Sequence, residues 1–528
     1  MNESARGTGS VPNLFSQTGE GVGAPIPWAS ELAVKVQIFD DLVCVDDGAG
    51  ELTYRGLAAH AAALAKCLLA AGVMPGEPVA TFLRNGIPAV WARAGVRVAG
   101  AAETPLNPAL TEDERCYCIG LVGARRVVTT VAQREFFKRL GLDVVAVEDI
   151  APDVAALTAL APVPGDALGR IIFTSGTTGR PKAIVHTHEA RWIANLLQRA
   201  TFLHMPASGS RALLMTPFTH GAALIAFAYF EHGAAVELCD GVDLPRVERL
   251  LAAKKVDAVF APPTVLAKLV TAFDGRRFEG VHTVFCGTST LTPALYAKAR
   301  ALFGPVVRIT YGKSEVVNPI TVLPPTACDR YYTQETAGEG ACVGWPASGV
   351  EVEVRRGDGA RAKTDEVGEV HLRARHMLAG HIDGSGFHPL PPGGFHATGD
   401  LGRLDAHGRL HLVGRTGDVI KSGGYKIFPE EIERVLAGCA PALTVLALPS
   451  EYWGEVIVAV AEAPAAGWEA SARAAAECLA RYKHPRAYLA LDALPRNPQG
   501  KISRAAVRAL VEARWRLVDG PRPKLERL

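Results

Sequence analysis

Two hydrophobic rhythms run along the chain. Leu57 to Ala71, rich in Ala and Leu, predicts a helix; Val79 to Phe82 predicts a strand; Ala89 to Gly100 predicts a second helix. Farther on, Val247, Leu250 and Leu251 recur at helical spacing within Leu244 to Lys255, and Val256 to Ala261 then reads as a strand. Such alternation predicts α/β layers around largely parallel sheet. Near residue 343 the rhythm changes. Val350-Glu-Val-Glu-Val354 and Glu369-Val-His-Leu372 alternate with period two, and Leu401 to Leu404 and Arg409 to Val413 flank Asp405-Ala-His-Gly408 as a hairpin. After Gly414-Arg-Thr-Gly-Asp418 a mixed unit follows: Tyr425 to Phe428 is strand-like, Pro429 opens a helix with Glu430 and Glu431 in its first turn, and Gly438 lies past its end.

The expected fold class is therefore α/β: a large N-terminal body of layered α/β subdomains, a β-rich subdomain over residues 343–415, and a small α+β C-terminal domain over 416–528. Residues 1–25 read as a flexible tail ahead of a body spanning 26–415, because Met1 to Gly23 is polar and Gly/Ser-rich without the apolar core of a signal peptide. Ala212 to Phe230 carries no charge, yet Pro217, Thr219, His220 and Gly221 interrupt it. It reads as a core strand, a loop and a buried helix, not a membrane span.

Composition narrows the function classes. With 528 residues the chain exceeds one ordinary domain, at about 150 residues each. A hydrophobic content of 48% against 21% charged fits a globular protein with a large core. A net charge of +2 gives no electrostatic reason to expect nucleic acid or an anionic membrane as a partner. The basic stretch Arg514 to Arg527 reads as a solvated tail. Ten cysteines are scattered, and Cys116 and Cys118 are too close in sequence for a metal-type pair, which fits free thiols in a reducing cytoplasm.

The most informative stretch is Ile171-Ile-Phe-Thr-Ser-Gly-Thr-Thr-Gly-Arg-Pro-Lys182. An apolar strand opens into a loop bearing the hydroxyls of Thr174, Ser175, Thr177 and Thr178, the glycines Gly176 and Gly179, and Lys182. Glycines let the backbone wrap a ligand with its N–H groups inward, hydroxyls add donors, and the lysine adds charge, a chemistry suited to polyphosphate. The spacing is not that of a P-loop, where Lys follows the last Gly directly.

This loop resembles the phosphate-binding signature of the acyl-adenylate-forming superfamily, which contains acyl-CoA synthetases, standalone adenylation enzymes and firefly-type luciferases. The likeness continues to the C-terminus. Tyr311-Gly-Lys-Ser-Glu315 is similar to the second nucleotide motif, with Ser314 where Thr is more usual. The likeness implies Tyr311 against adenine, Ser314 on phosphate and Glu315 holding Mg²⁺. Thr398-Gly-Asp400 and Gly414-Arg415 resemble the ribose-binding elements. Pro495-Arg-Asn-Pro-Gln-Gly-Lys501-Ile resembles the catalytic-lysine motif, implying that Lys501 enters the site when a mobile C-terminal lid closes. Ile420-Lys-Ser-Gly-Gly-Tyr-Lys-Ile427 resembles the loop lining the pantetheine tunnel, with Ser422, Gly423 and Gly424 beside CoA. Pro217-Phe-Thr-His220-Gly221 is similar to the gate beside the substrate carboxylate; amino-acid-activating relatives carry Asp there, so His220 argues against an α-amino acid. Cys286-Gly287-Thr288 would line the acyl and adenine pockets. Lys313 stands where a hydrophobe is common and either contacts the acid or points to the surface. At the pivot Gly417 replaces Asp or Lys, and His381 replaces a common Tyr.

The resemblance implies an ATP-dependent carboxylic acid:CoA ligase that forms acyl-CoA, AMP and pyrophosphate through an acyl-adenylate, using ATP, Mg²⁺ and CoA, as a monomer or homodimer. The main rival is acyl transfer to a separate carrier protein. Light-emitting oxidation and a catalytically silent nucleotide-binding protein are remoter readings.

Overall fold

The computed structural model describes residues 24–175, 181–219, 221–335, 340–391, 393–422, 425–497 and 500–528. Most of the expected tail, residues 1–23, lies outside the described residues. The first expected helix runs from Tyr54 to Ala70, three residues earlier than its apolar pattern, because the Thr53 side chain accepts from Gly56 N and sets the start. Against it packs the helix Ile87–Val98. A Cβ on Gly95 would stand 2.9 Å from the Ala61 carbonyl oxygen and from Leu64, so only glycine allows this approach of two backbones.

Two large sheets form the body. One has seven strands, ordered 307–310, 283–287, 258–260, 211–214, 235–238, 43–46 and 51–53; all pairs are parallel except the last. The second has eight, ordered 386–389, 380–383, 181–187, 168–175, 102–105, 78–81, 126–129 and 143–146. The charge-free stretch resolves as expected into the strand Arg211–Leu214 and the buried helix Gly221–Phe230. Among the described residues no helix is long and apolar enough to cross a membrane.

The period-two region forms an antiparallel six-stranded sheet ordered 321–322, 341–346, 410–415, 396–404, 368–374 and 350–355. Its limits differ from the sequence reading. The hairpin of Gly380–Asp383 and Gly386–Pro389 leaves this sheet and pairs with Pro181–Thr187 of the eight-stranded one, through His381 opposite Ile184. Residues from the β-rich stretch are thereby delivered to the strand that follows the Gly/Thr loop.

The C-terminal lobe pairs strands 425–427, 420–422, 454–462 and 442–450, with 487–491 parallel to 454–462. The basic end is not a solvated tail. Trp515–Val518 and Lys524–Arg527 form a hairpin, and Trp515, Leu517 and Leu525 pack on the cluster containing Val507 and Val511. Apolar residues alternating along the hairpin seat it, and its charges face water.

Candidate active site

The strands on either side of the Gly/Thr loop pair antiparallel, with Thr174 opposite Lys182 and Ser175 opposite Pro181. Gly176, Thr177, Thr178 and Gly179 lie outside the described residues, as do His220, Gly423 and Gly424. Lys182 Nζ is 4.0 Å from Asp383 on the recruited hairpin. From the same strand, fully buried His186 places Nε2 2.7 Å from the Ser314 carbonyl oxygen. Burial pushes its pKa down to about 4, so the ring is neutral; a carbonyl only accepts, which puts the proton on Nε2. This bond ties the loop strand to Tyr311–Glu315.

Asp400, 6% exposed, is the hub of the second half. Its backbone N donates to Thr398 Oγ1, and Gly399 before it takes φ +71°, which glycine adopts without strain. Tyr311 Oη donates to Asp400 Oδ2, Lys313 Nζ donates to the same oxygen at 3.0 Å, and Arg415 Nε lies 3.1 Å from Oδ1. Burial and the adjoining carboxylate push the Tyr311 phenol far up, so it stays a donor. Lys313 does not point to the surface: it is buried, and it also donates to the Thr398 carbonyl at 2.7 Å.

Lys501 reaches this group from the C-terminal lobe. Its Nζ donates to the carbonyl oxygen of Thr288, at the end of the strand Thr283–Gly287. Gly500 at φ +80° turns the loop, and Asn497 Oδ1 accepts from Lys501 N at 3.0 Å. Burial lowers the Lys501 pKa, Arg415 and Lys313 push it the same way, and Asp400 opposes them. Thr288 itself has φ +71°, a costly conformation for a β-branched residue, held where the lobes meet. A Cβ on Gly287 would stand 2.7 Å from the Thr310 carbonyl oxygen, so glycine is required there.

Glu315 lies beside these groups. Its carbonyl accepts from Leu378 N at 2.8 Å, and its charge is felt by His381 and His396. Among the described residues no hydrogen bond or ion pair occupies its carboxylate. A free, half-buried carboxylate fits a hard divalent cation such as Mg²⁺.

Three further expected positions lie outside the Asp400–Lys501 group. Cys286 packs beneath Tyr311 and Ile309 in the core, turned away from the face shared by Phe285 and Gly287, and burial pushes its thiol up to about 12. It does not line an acyl pocket on that face, since strand alternation sends it to the other side. Ser422 is buried in the C-terminal sheet opposite Tyr425 and Gly454, and no bond among the described residues links it to the Asp400–Lys501 group. Gly417 sits in a short turn, Thr416–Asp418, with open space where a Cβ would go. Beside it Asp418 accepts from Arg504, which also pairs with Glu430 at 3.1 Å and Glu433 at 3.0 Å.

One cluster had no sequence signal. Buried Glu103 is ringed by Arg93 at 3.2 Å, Arg191 at 3.2 Å and Arg170 at 3.8 Å. Arg93 and Arg170 also donate to the carbonyls of Phe218 and Thr219, fixing the backbone just ahead of His220. Gly221 follows, where a Cβ would meet the Phe260 ring at 3.0 Å. The cluster places net positive charge behind the segment expected to meet a carboxylate.

A carboxylate hub and a lysine from the C-terminal lobe thus meet beside Tyr311–Glu315, which His186 ties to the strand after the Gly/Thr loop. The family model described as AMP-binding enzyme matches residues 32–381, more than half of the chain. The chain belongs to this family. As an AMP-binding enzyme it is 29% identical to a sulfoacetate–CoA ligase of Cupriavidus necator over 87% of this chain and 92% of that protein. It is 30% identical to a medium/long-chain-fatty-acid–CoA ligase of Mycobacterium tuberculosis over 69% of this chain and 66% of that one. Among solved structures, o-succinylbenzoate CoA synthetase of Bacillus subtilis, in complex with its acyl-adenylate, superposes with a TM-score of 0.77 at 24% identity, covering 90% of this chain and 97% of that one. The AMP-binding fold of this chain is thus a body carrying a smaller C-terminal lobe.

Proposed function

We propose that this AMP-binding enzyme is an ATP-dependent carboxylic acid:CoA ligase, with Lys501 as the residue that drives its first step. It is an acid–thiol ligase that uses ATP, Mg²⁺ and CoA. Relatives named as CoA ligases across most of its length support this reading. The observation that carries the residue assignment is the Lys501 ammonium, donated across the lobes beside Asp400, Lys313 and Arg415.

A carboxylate is a poor acyl donor because its carbonyl carbon is electron-rich and oxide is a poor leaving group. In the first step a carboxylate oxygen attacks the α-phosphorus of ATP, and the bond to pyrophosphate breaks. Two anions must meet, and positioned cations offset the charge that develops. Lys501 exchanges the Thr288 carbonyl for carboxylate and α-phosphate oxygens. Asp400 accepts from the ribose hydroxyls, with Arg415 as the matching donor, and Tyr311 lies along the base. Thr174, Ser175 and Lys182 face the β- and γ-phosphates with the glycine loop, and Ser314 adds a donor. Glu315 would hold Mg²⁺, which neutralises phosphate charge when bound. In the second step the CoA sulfur attacks the acyl carbon, AMP leaves, and the thiol proton passes to solvent. The lid turns about Gly417 between the steps and brings the Ser422 loop to the pantetheine arm. His220 and Gly221 border the acid, whose carboxylate the arginine-rich cluster favours. Ten free cysteines fit a reducing compartment, the cytoplasm.

Pyrophosphate release measured across a panel of acids, with and without CoA, tests the reading. The expected result is acid-dependent release and an acyl-CoA product. ATP binding without release by any acid would refute it. Thioester formation on carrier proteins but not on CoA would move the activity to the carrier reading.

A further inference from the structure

The strand Val307–Thr310 carries an arginine that nothing in the mechanism uses. Arg308 is 3% exposed. Its Nη2 donates to Thr201 Oγ1 at 2.7 Å, its guanidinium lies 5.2 Å from the Phe285 ring centre, and its Nε has no partner. Among the described residues no carboxylate pairs with it. Burial alone acts on its charge, pushing it down to about 10. The other buried arginines of the body each have a carboxylate: Arg93, Arg170 and Arg191 face Glu103, Arg246 pairs with Glu237 and Asp46, and Arg409 pairs with Glu335 and Asp405. An uncompensated buried cation is expensive unless an anion joins it.

Arg308 also lines a cavity of about 70 Å³ with Phe202, Tyr229, Phe285, Asp257 and His282. Asp257 does not serve as its counter-ion: the carboxylate accepts from Tyr229 Oη at 3.3 Å and from Ser210, and it faces His282. The strand register fixes where this cavity stands. Phe285 pairs with Arg308, and Gly287 with Thr310, so these four share one face of the sheet. Phe285 packs in the same apolar cluster as Ala222, Ala223 and Ala226 of the opposing helix. At the upper level of this face Gly287 and Thr310 stand next to Thr288, where Lys501 arrives. Two residues down the strand, about 7 Å away, stands the arginine.

We propose that Arg308 is a specificity residue: it receives a second anionic group of the substrate, so that the acid activated at the Lys501 end carries a carboxylate or sulfonate at its far end. The inference rests on the ligase reading and narrows the substrate class to dianionic acids. Aromatic side chains take up the apolar spacer, and the guanidinium fork takes the distal charge.

ATP–pyrophosphate exchange with length-matched pairs, adipate against hexanoate and suberate against octanoate, tests this on the wild type, Arg308→Met and Arg308→Lys. The wild type should favour the diacid in kcat/KM at least tenfold. Arg308→Met should lower that ratio at least tenfold, with Arg308→Lys between, while Tm holds or rises because an unpaired buried charge is gone. An unchanged ratio in Arg308→Met, or no diacid preference in the wild type, overturns the proposal and leaves the ligase reading standing. If no acid supports exchange, the ligase reading fails, and calorimetry with suberate alone decides: binding to wild type that Arg308→Met loses supports the pocket, and no binding overturns it.

Discussion

The proposed mechanism concentrates its first step in the Lys501 ammonium, held in a partly dehydrated place among other cations. Lys501→Ala should reduce ATP–pyrophosphate exchange by about 10²–10³-fold, the scale of losing one aimed donor at a developing charge, yet largely spare thioester formation from supplied acyl-adenylate. Equal loss of both half-reactions would remove the assigned role. With that role the same residue should set the alkaline limb of the pH profile. Its folded pKa lies below the ordinary 10.5 because burial and neighbouring cations disfavour the charged form. Raising the pH therefore discharges it earlier than an exposed lysine, and exchange should decline on the alkaline side before pH 10.5 is reached. Much at this scale was legible in the sequence, because Tyr311, Glu315, Asp400, Arg415 and Lys501 sit in short runs whose chemistry is local. Lys313 was not: its partners Thr398 and Asp400 are far along the chain, and nothing in the run around it shows which way it points. Cys286 was not legible for another reason, since strand parity, which separates it from Phe285 and Gly287, decides which side of the sheet it faces.

Single elements matter here through what they hold for others. The strands Ala102–Pro105 and Leu168–Ser175 and the helices Ile87–Val98 and His188–Ala200 contribute one charged residue each to the Glu103 cluster. Glu103→Gln would leave three buried guanidinium groups without their carboxylate, which should cost about 3–5 kcal/mol. A clear drop in Tm, with KM for the acid raised in whatever protein remains folded, is the expected outcome; unchanged melting would show that the cluster is not held by charge. The helix–strand alternation of the body was readable because its period is local, and so was the Asp405–Gly408 hairpin. The Glu103 cluster was not, because its members lie in four separate elements and each alone passes for a surface charge. The hairpin 380–389 also escaped, since alternation predicts a strand without naming the sheet that receives it.

At the scale of the whole molecule, two lobes meet over Thr288, and the proposed lid motion turns about Gly417. Proline there forces the preceding residue toward extended backbone, against the turn at Thr416–Asp418. Gly417→Pro should cut overall CoA-ligase activity at least tenfold, with the thioester half-reaction suffering more than pyrophosphate exchange. Full activity would relocate the pivot. Asp418 is tied to Arg504, which also pairs with Glu430 and Glu433 of the smaller lobe, so the proposed bend falls on the body side of that knot.

In its proposed ribose role Asp400 has a consequence for which sugars are admitted. Before any nucleotide arrives, both its oxygens are taken by a phenol, an ammonium and a guanidinium. A vicinal diol can share in that arrangement and return two hydrogen bonds for those it disturbs. A dideoxy nucleotide disturbs the same partners and returns none, so discrimination at this point is a matter of exchange rather than of fit.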